Sequence, residues 1–191
     1  MTTLIAGLIL FLGVHSVRLG GEDLRNRLQA SFGPGAYKGL YSLISLAGFG
    51  LIIWGYGQAR LDPLVLWPAI GWTRHLVALL MLFSFVMLTA AYVPGNGIKA
   101  RLHHPMILSV KVWALAHLLA NNTLADLLLF GGFLVWAVLD FRSARQRDRV
   151  AHTLYPAGGL ARTVITVVVG LVAYLIFVLW LHVILIGVKP V

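Results

Sequence analysis

Six apolar runs, separated by short stretches rich in arginine and lysine, constrain this chain more than any other feature. They fall at about Thr3–Val17, Gly39–Tyr56, Trp72–Val93, Met106–Ala120, Leu124–Val138 and Val164–Val188. Lipid offers no hydrogen bonds, so a chain that enters it must satisfy its backbone internally, and runs of this kind are read as helices. Residues are 60% hydrophobic and only 11% charged, with a mean hydropathy of +0.89. A soluble domain is usually about 45–50% apolar. The expected fold is therefore all-α: a polytopic integral membrane helix bundle of about six transmembrane helices in a lipid bilayer. A spanning helix needs roughly 20 residues, so the first, fourth and fifth runs borrow a turn from their flanks or sit in thinned bilayer. One transmembrane domain, 1–191, is expected, with a core at 1–140, a basic cytoplasmic linker at 141–163 and a final transmembrane helix at 164–188. There is no internal repeat and no low-complexity tract.

Fifteen Lys and Arg against six Asp and Glu give a net charge of +9. In a soluble protein that balance would suggest nucleic acid. Here the cations lie between apolar runs, where they orient the chain and meet anionic headgroups, so no nucleic-acid partner is expected. The stretches after the first, third and fifth runs carry Arg18, Arg25, Arg27, Lys38, Lys99, Arg101, Arg142, Arg145, Arg147, Arg149 and Arg162. The opposite side has Arg60, Arg74 and Lys189, with Lys111 inside a run. The first set predicts the cytoplasmic side, and both termini outside it. Thr3–Val17 lacks a basic n-region and an A-x-A site, so it is expected to be a retained helix. With no cysteine, thiolate ligation and disulfides are excluded and histidine is the best metal ligand available.

Arg101 to Asp140 is the stretch around which the rest is organised: His103-His104-Pro105, an apolar run holding Lys111 and His117, the turn Asn121-Asn122, and a second apolar run. Ionisable groups at membrane depth are costly and are functional candidates by default. On a helix His117 shares a stripe with Trp113, Val110 and Met106, and His104 shares another with Lys111. His15 falls on one face with Phe11, Leu12 and Leu8. Arg18 and Glu22 are spaced to pair, although Gly20-Gly21 argue against continuous helix there. Phe32 to Gly35 reads as a turn, Tyr37-Lys38 opens the second run, and its Ser42 and Ser45 suit helix contact. Trp54, Tyr56, Trp67 and Trp72 suit an interfacial belt.

Of seven histidines, His152 and His182 read as interfacial side chains. His15, His75 and His117 lie on three different helices and form the candidate set. Each alone is as well explained by a hydrogen bond to a neighbouring carbonyl. Together they suit a haem held between facing histidines of a helix bundle. A zinc site would want more ligands and a base, and Asp126 is the one acid between Asp62 and Asp140. Lys111 either snorkels or pairs with Asp126 or a cofactor propionate.

The stretches FLGVHSVR, YKGLYSLISLAGFGLIIWGYG, RHLVALLMLFSFVMLTAAYVPGNGIKARLHHPM and KVWALAHLLANNTLADLLLFGGFLVWAVLD resemble the NnrU protein family over most of residues 9 to 140. That family is similar to 15-cis-zeta-carotene isomerase, a membrane enzyme that holds haem b through histidines. The resemblance implies haem b, with His15 and His117 as iron ligands, Lys111 and Trp113 lining the cofactor, and His75 as catalytic residue or substitute ligand. The isomerase has a cysteine where Ala114 stands, so any thiolate ligand exchange is not carried over. Family members are associated with nitric oxide and denitrification in bacteria, which implies an inner-membrane location and nitric oxide or a lipophilic substrate such as a carotenoid. A homodimer stays open. The alternative is a membrane methyltransferase of the isoprenylcysteine type, using S-adenosylmethionine. Its RHP motif is Leu102-His103-His104-Pro105 here, without the arginine, and Asp140–Tyr155 is basic where that class is Glu- and Tyr-rich. A non-catalytic accessory protein is the third reading.

Overall fold

The structure is a computed structural model that describes residues 1–20 and 22–190; Gly21 of the Gly20-Gly21 pair lies outside the described residues. Its helices are α1 (Thr2–His15), α2 (Glu22–Phe32), α3 (Pro34–Ala59), α4 (Thr73–Tyr92), α5 (Gly97–Leu102), α6 (Pro105–Ala120), α7 (Leu124–Ala151), α8 (Leu160–Ile176) and α9 (His182–Ile186), with a π-helical turn at Phe177–Leu181 between the last two. Four stretches are long and apolar enough to cross a membrane: Pro34–Ala59, Thr73–Tyr92, Leu124–Ala151 and Leu160–Ile186. The apolar helices α1 and α6 have 14 and 16 residues, or about 21 and 24 Å, short of a hydrocarbon core of about 30 Å. Large apolar side chains are exposed in helical stripes, among them Leu43, Leu46, Phe49 and Ile53 on α3 and Val164, Val168, Val172 and Leu175 on α8. A water-facing surface does not carry such stripes, and lipid is the solvent they fit. The chain is an all-helical membrane protein.

By contact the chain sorts into two units, Met1–Pro68 with Asn122–Asp140, and Ala69–Asn121 with Phe141–Val191. In the first unit α1 and α3 cross at backbone distance. The buried residues of α3 are Gly48, Ile52, Gly55 and Ala59, spaced four, three and four apart, so they form one face. Gly48, Ile52 and Gly55 of this face meet Leu4, Gly7 and Phe11 of α1. A Cβ on Gly55 would lie 2.3 Å from the Leu4 nitrogen, one on Gly48 2.7 Å from the Phe11 nitrogen, and one on Gly7 2.6 Å from the Ile52 nitrogen. Small residues at a helix crossing let backbones approach and gain dispersion contact where lipid supplies no hydrophobic drive. The first half of α7 joins this unit through Phe133, whose ring is 5.7 Å from that of Phe11, and through Asp126. Asp126 is buried and accepts from the Tyr56 hydroxyl at 2.6 Å, the Thr123 hydroxyl at 2.6 Å and the Thr123 N–H at 3.0 Å. The loop before α4 is pinned to the start of α7: Leu66 N–H donates to the Asn122 carbonyl and Leu124 N–H to the Leu64 carbonyl.

In the second unit α4 packs on α6 and α8. The buried Ser84 hydroxyl donates to the Ser109 carbonyl, tying α4 to α6. Gly170 lets α8 approach α4, since a Cβ there would lie 2.8 Å from the Val86 Cα. Asn96, fully buried, donates to the Ala90 and Val93 carbonyls and accepts from Lys99 N–H, so one side chain ends α4 and starts α5. The Gly97 N–H is satisfied by the Thr163 hydroxyl of α8.

Several boundaries differ from the sequence reading. Residues 141–151, expected as linker, continue α7: Ser-Ala-Arg-Gln-Arg-Asp-Arg-Val-Ala has no glycine or proline and is rich in helix formers. Likewise α8 begins at Leu160, inside the expected linker, and α3 begins at Pro34 rather than near Tyr37. Proline suits a first turn, and Gly33, at φ +78, makes the expected bend. Helices α2 and α5 were not anticipated. Glu22 and Asp23 favour the start of α2 through the helix dipole.

Candidate functional site

In the first unit the site is built around His15, the last residue of α1. Its Nδ1 is 2.7 Å from the Phe11 carbonyl one turn back, which fixes the ring and leaves Nε2 as the nitrogen outside that bond. The ring stacks on Phe11 with centroids 4.2 Å apart, as the i−4 spacing predicts, and lies 5.3 Å from Tyr41 of α3 and 6.1 Å, edge-on, from Trp136 of α7. Two buried donors of this unit, the Trp136 indole N–H and the Ser45 hydroxyl, have no hydrogen-bond partner among the described residues. A cleft of about 350 Å³ opens beside the ring, lined by His15, Arg18, Arg25, Tyr37, Lys38 and Ser42 among others. Arg18 pairs with Glu22 at 2.6 Å, the pairing expected from their spacing, and Arg25 reaches the other carboxylate oxygen of Glu22 at 3.5 Å.

The other candidates lie in the second unit. His117, near the end of α6, is held as His15 is: Nδ1 is 2.8 Å from the Trp113 carbonyl, with the Trp113 ring 5.4 Å away. His75 is exposed on the first turn of α4. As for Lys111, the expected partner Asp126 has its oxygens engaged by Tyr56 and Thr123 of its own unit. The Lys111 ammonium sits 4.4 Å over the Phe141 ring. That ring also stands edge-on to His104 at 6.3 Å, so the stripe shared by His104 and Lys111 is covered by the start of the α7 extension. Among the described residues no three His, Cys, Asp or Glu side chains are grouped to hold a metal ion.

A second polar cluster, which the sequence reading left without a role, forms around Asp148. His104 Nε2 is 2.7 Å from its Oδ2, and the Tyr155 hydroxyl donates to its Oδ1 at 3.0 Å. Arg145 donates to His103 Nδ1 at 2.6 Å, and the His103 ring lies 4.5 Å from that of Tyr155. His103 adopts φ +64, the kink that separates α5 from α6. Partial burial first, and then the bond to the Asp148 carboxylate, raise the Tyr155 phenol above its ordinary value of 10.0. A raised folded-state value supports the fold below the unfolded-state value and loses that support as pH rises through the folded one. Wild-type protein should therefore melt above Tyr155→Phe at neutral pH, and the gap should close as pH climbs past about 10. Thermal melts of both proteins across that range check this.

A protein-family model described as NnrU protein matches residues 3–190, so the match runs past Asp140 and takes in α8 and α9 as well. No curated protein and no solved structure matches the chain. With the family model covering nearly its whole length, the chain belongs to the NnrU family.

Proposed function

We propose that this chain is a haem b-binding integral membrane protein, in which His15 would be an iron ligand and His117, whose ring is tied in the same way, the second candidate ligand. The observation that carries the reading is the setting of His15. Its Nδ1 is committed to a backbone carbonyl, as metal-ligating histidines commonly are, and this orients Nε2. The surroundings fit the group: flat aromatic neighbours in Phe11, Tyr41 and Trp136, and an indole N–H in want of an acceptor. When bound, haem supplies a Lewis-acidic iron that takes either nitric oxide or a lipophilic polyene such as a carotenoid. The protein's share is ligation, orientation and exclusion of water. His75 is the proposed substitute ligand or proton donor, and Lys111 and Trp113 the proposed cofactor contacts on α6. Six helices cross the bilayer in this reading, α1 and α6 with local thinning, and the basic stretches support an orientation with both termini on the periplasmic side of a bacterial inner membrane.

An absorption spectrum of the detergent-purified protein, oxidised and then reduced with dithionite, tests this. A Soret band with resolved α and β bands on reduction is the expected result, and His15→Ala should lose most of the haem. Unchanged haem content in both His15→Ala and His117→Ala overturns the ligand assignment. A colourless protein after expression with ample haem overturns the cofactor, and S-adenosylmethionine binding by that protein would establish the methyltransferase alternative.

A further inference from the structure

The cleft beside His15 has a property that iron ligation does not use. Arg18, Arg25 and Lys38 line it together, and the Glu22 carboxylate pairs with the two arginines. Lys38 has no acidic partner among the described residues, and it is exposed at the start of α3. Tyr37, Tyr41 and Ser42 add hydroxyl groups from the same two turns. Immediately beyond them α3 turns apolar on its exposed side, with Leu40, Leu43 and Leu46 open to lipid. Positive charge in excess, hydroxyl donors, and an adjoining apolar ladder are the complement of an amphiphile whose head is an oxygen-rich anion. Guanidinium forks and an ammonium suit a phosphodiester, and cations close to the membrane surface each add about 1 kcal/mol of attraction to acidic lipid.

We propose that this cleft is a binding site for the phosphate head of an acidic phospholipid, seated on Arg25 and Lys38, with its acyl chains along the Leu40, Leu43 and Leu46 side of α3. The site rests on the rim cations and not on the His15 ring, so it stands apart from the haem reading.

Native mass spectrometry of the full-length protein released from detergent micelles tests it, with dioleoyl-phosphatidylglycerol, dioleoyl-phosphatidylcholine and inorganic phosphate as probes. The wild type should retain phosphatidylglycerol over phosphatidylcholine. Arg25→Gln/Lys38→Gln should lower that preference by about thirtyfold. Lys38→Gln alone should lower it partway, and because it breaks no ion pair it keeps the test clear of misfolding. Arg142→Gln/Arg149→Gln, on the α7 extension, should leave the preference intact. Equal retention of the two lipids by the wild type overturns the proposal, and so does loss of the preference in the α7 pair but not in the cleft pair. If millimolar inorganic phosphate displaces the lipid, the site takes free phosphate and the lipid assignment falls. Haem absorbance read on the same samples separates this outcome from that of the cofactor.

Discussion

Gly55→Ala is expected to be among the most damaging single-methyl changes in the chain. The added carbon would lie 2.3 Å from the Leu4 nitrogen and 2.7 Å from its Cα, distances that no Cβ tolerates. The obstacle is backbone, so no rotamer change relieves it, and α1 must move off α3. Overpacking of a tight interior costs about 1–3 kcal/mol and occasionally more, and a backbone clash belongs at the upper end. The gain in helix propensity of about 1 kcal/mol does not offset it. Gly57→Ala, two residues on in the same helix, meets nothing within 4 Å and gains the same propensity, so it should be neutral or mildly stabilising. Melting temperatures of the two variants in one detergent give the comparison. Equal melting would mean that α1 and α3 do not cross at backbone distance.

Asp126→Ala should be comparably severe for a different reason. It removes the acceptor for the Tyr56 hydroxyl and for both the hydroxyl and N–H of Thr123. These donors are half-buried, and each one left without a partner costs toward the lower end of about 1–3 kcal/mol. Tyr56→Phe removes one of these bonds and orphans one lone-pair site of the carboxylate, for a loss of about 1.5–3 kcal/mol. The double variant should melt close to Asp126→Ala rather than at the sum of the two losses, because the groups act on one another. Additive losses in the cycle would show that Tyr56 and Asp126 do not share a bond.

The apolar runs were legible because lipid imposes them: each reappears as helix, with most ends moved by a few residues but that of the fifth run carried from Val138 to Ala151. Contacts one helical turn apart were legible too. Phe11 under His15, Trp113 beside His117 and the Arg18–Glu22 pair all follow from i, i+4 geometry. What could not be read was any partner brought in from another helix. Tyr56 and Asp126 are 70 residues apart, and matching charges alone suggested Lys111 for Asp126, when the chain uses a phenol for one and an aromatic face for the other. The Asp148 cluster was hidden because its acid and its tyrosine sit in residues taken for linker. The run of helix formers from Ser143 to Ala151, unbroken by glycine or proline, was the signal that would have placed Asp148 one helix away from His104. One side of the His15 site could be anticipated from α1, but Tyr41 and Trp136 could not.

The π-helical turn at Phe177–Leu181 has a consequence for how this helix tolerates change in length. A widened turn accommodates one residue more than an α-helix would over the same rise, the local form that an inserted amino acid takes when the helix on either side is kept. Upstream, Gly170 must keep facing Val86 of α4, and downstream His182 must keep its ring near Phe177 and its Nδ1 on the Val188 carbonyl. Excising Val178 would therefore leave a plain α-helix with the segments on either side still in phase, whereas the same deletion in an unbroken α-helix would swing everything after it by about 100° around the axis. The segment after Ile176 is thus phased independently of the packed part of α8, and its sequence is free to drift in register while the glycine contact upstream stays fixed.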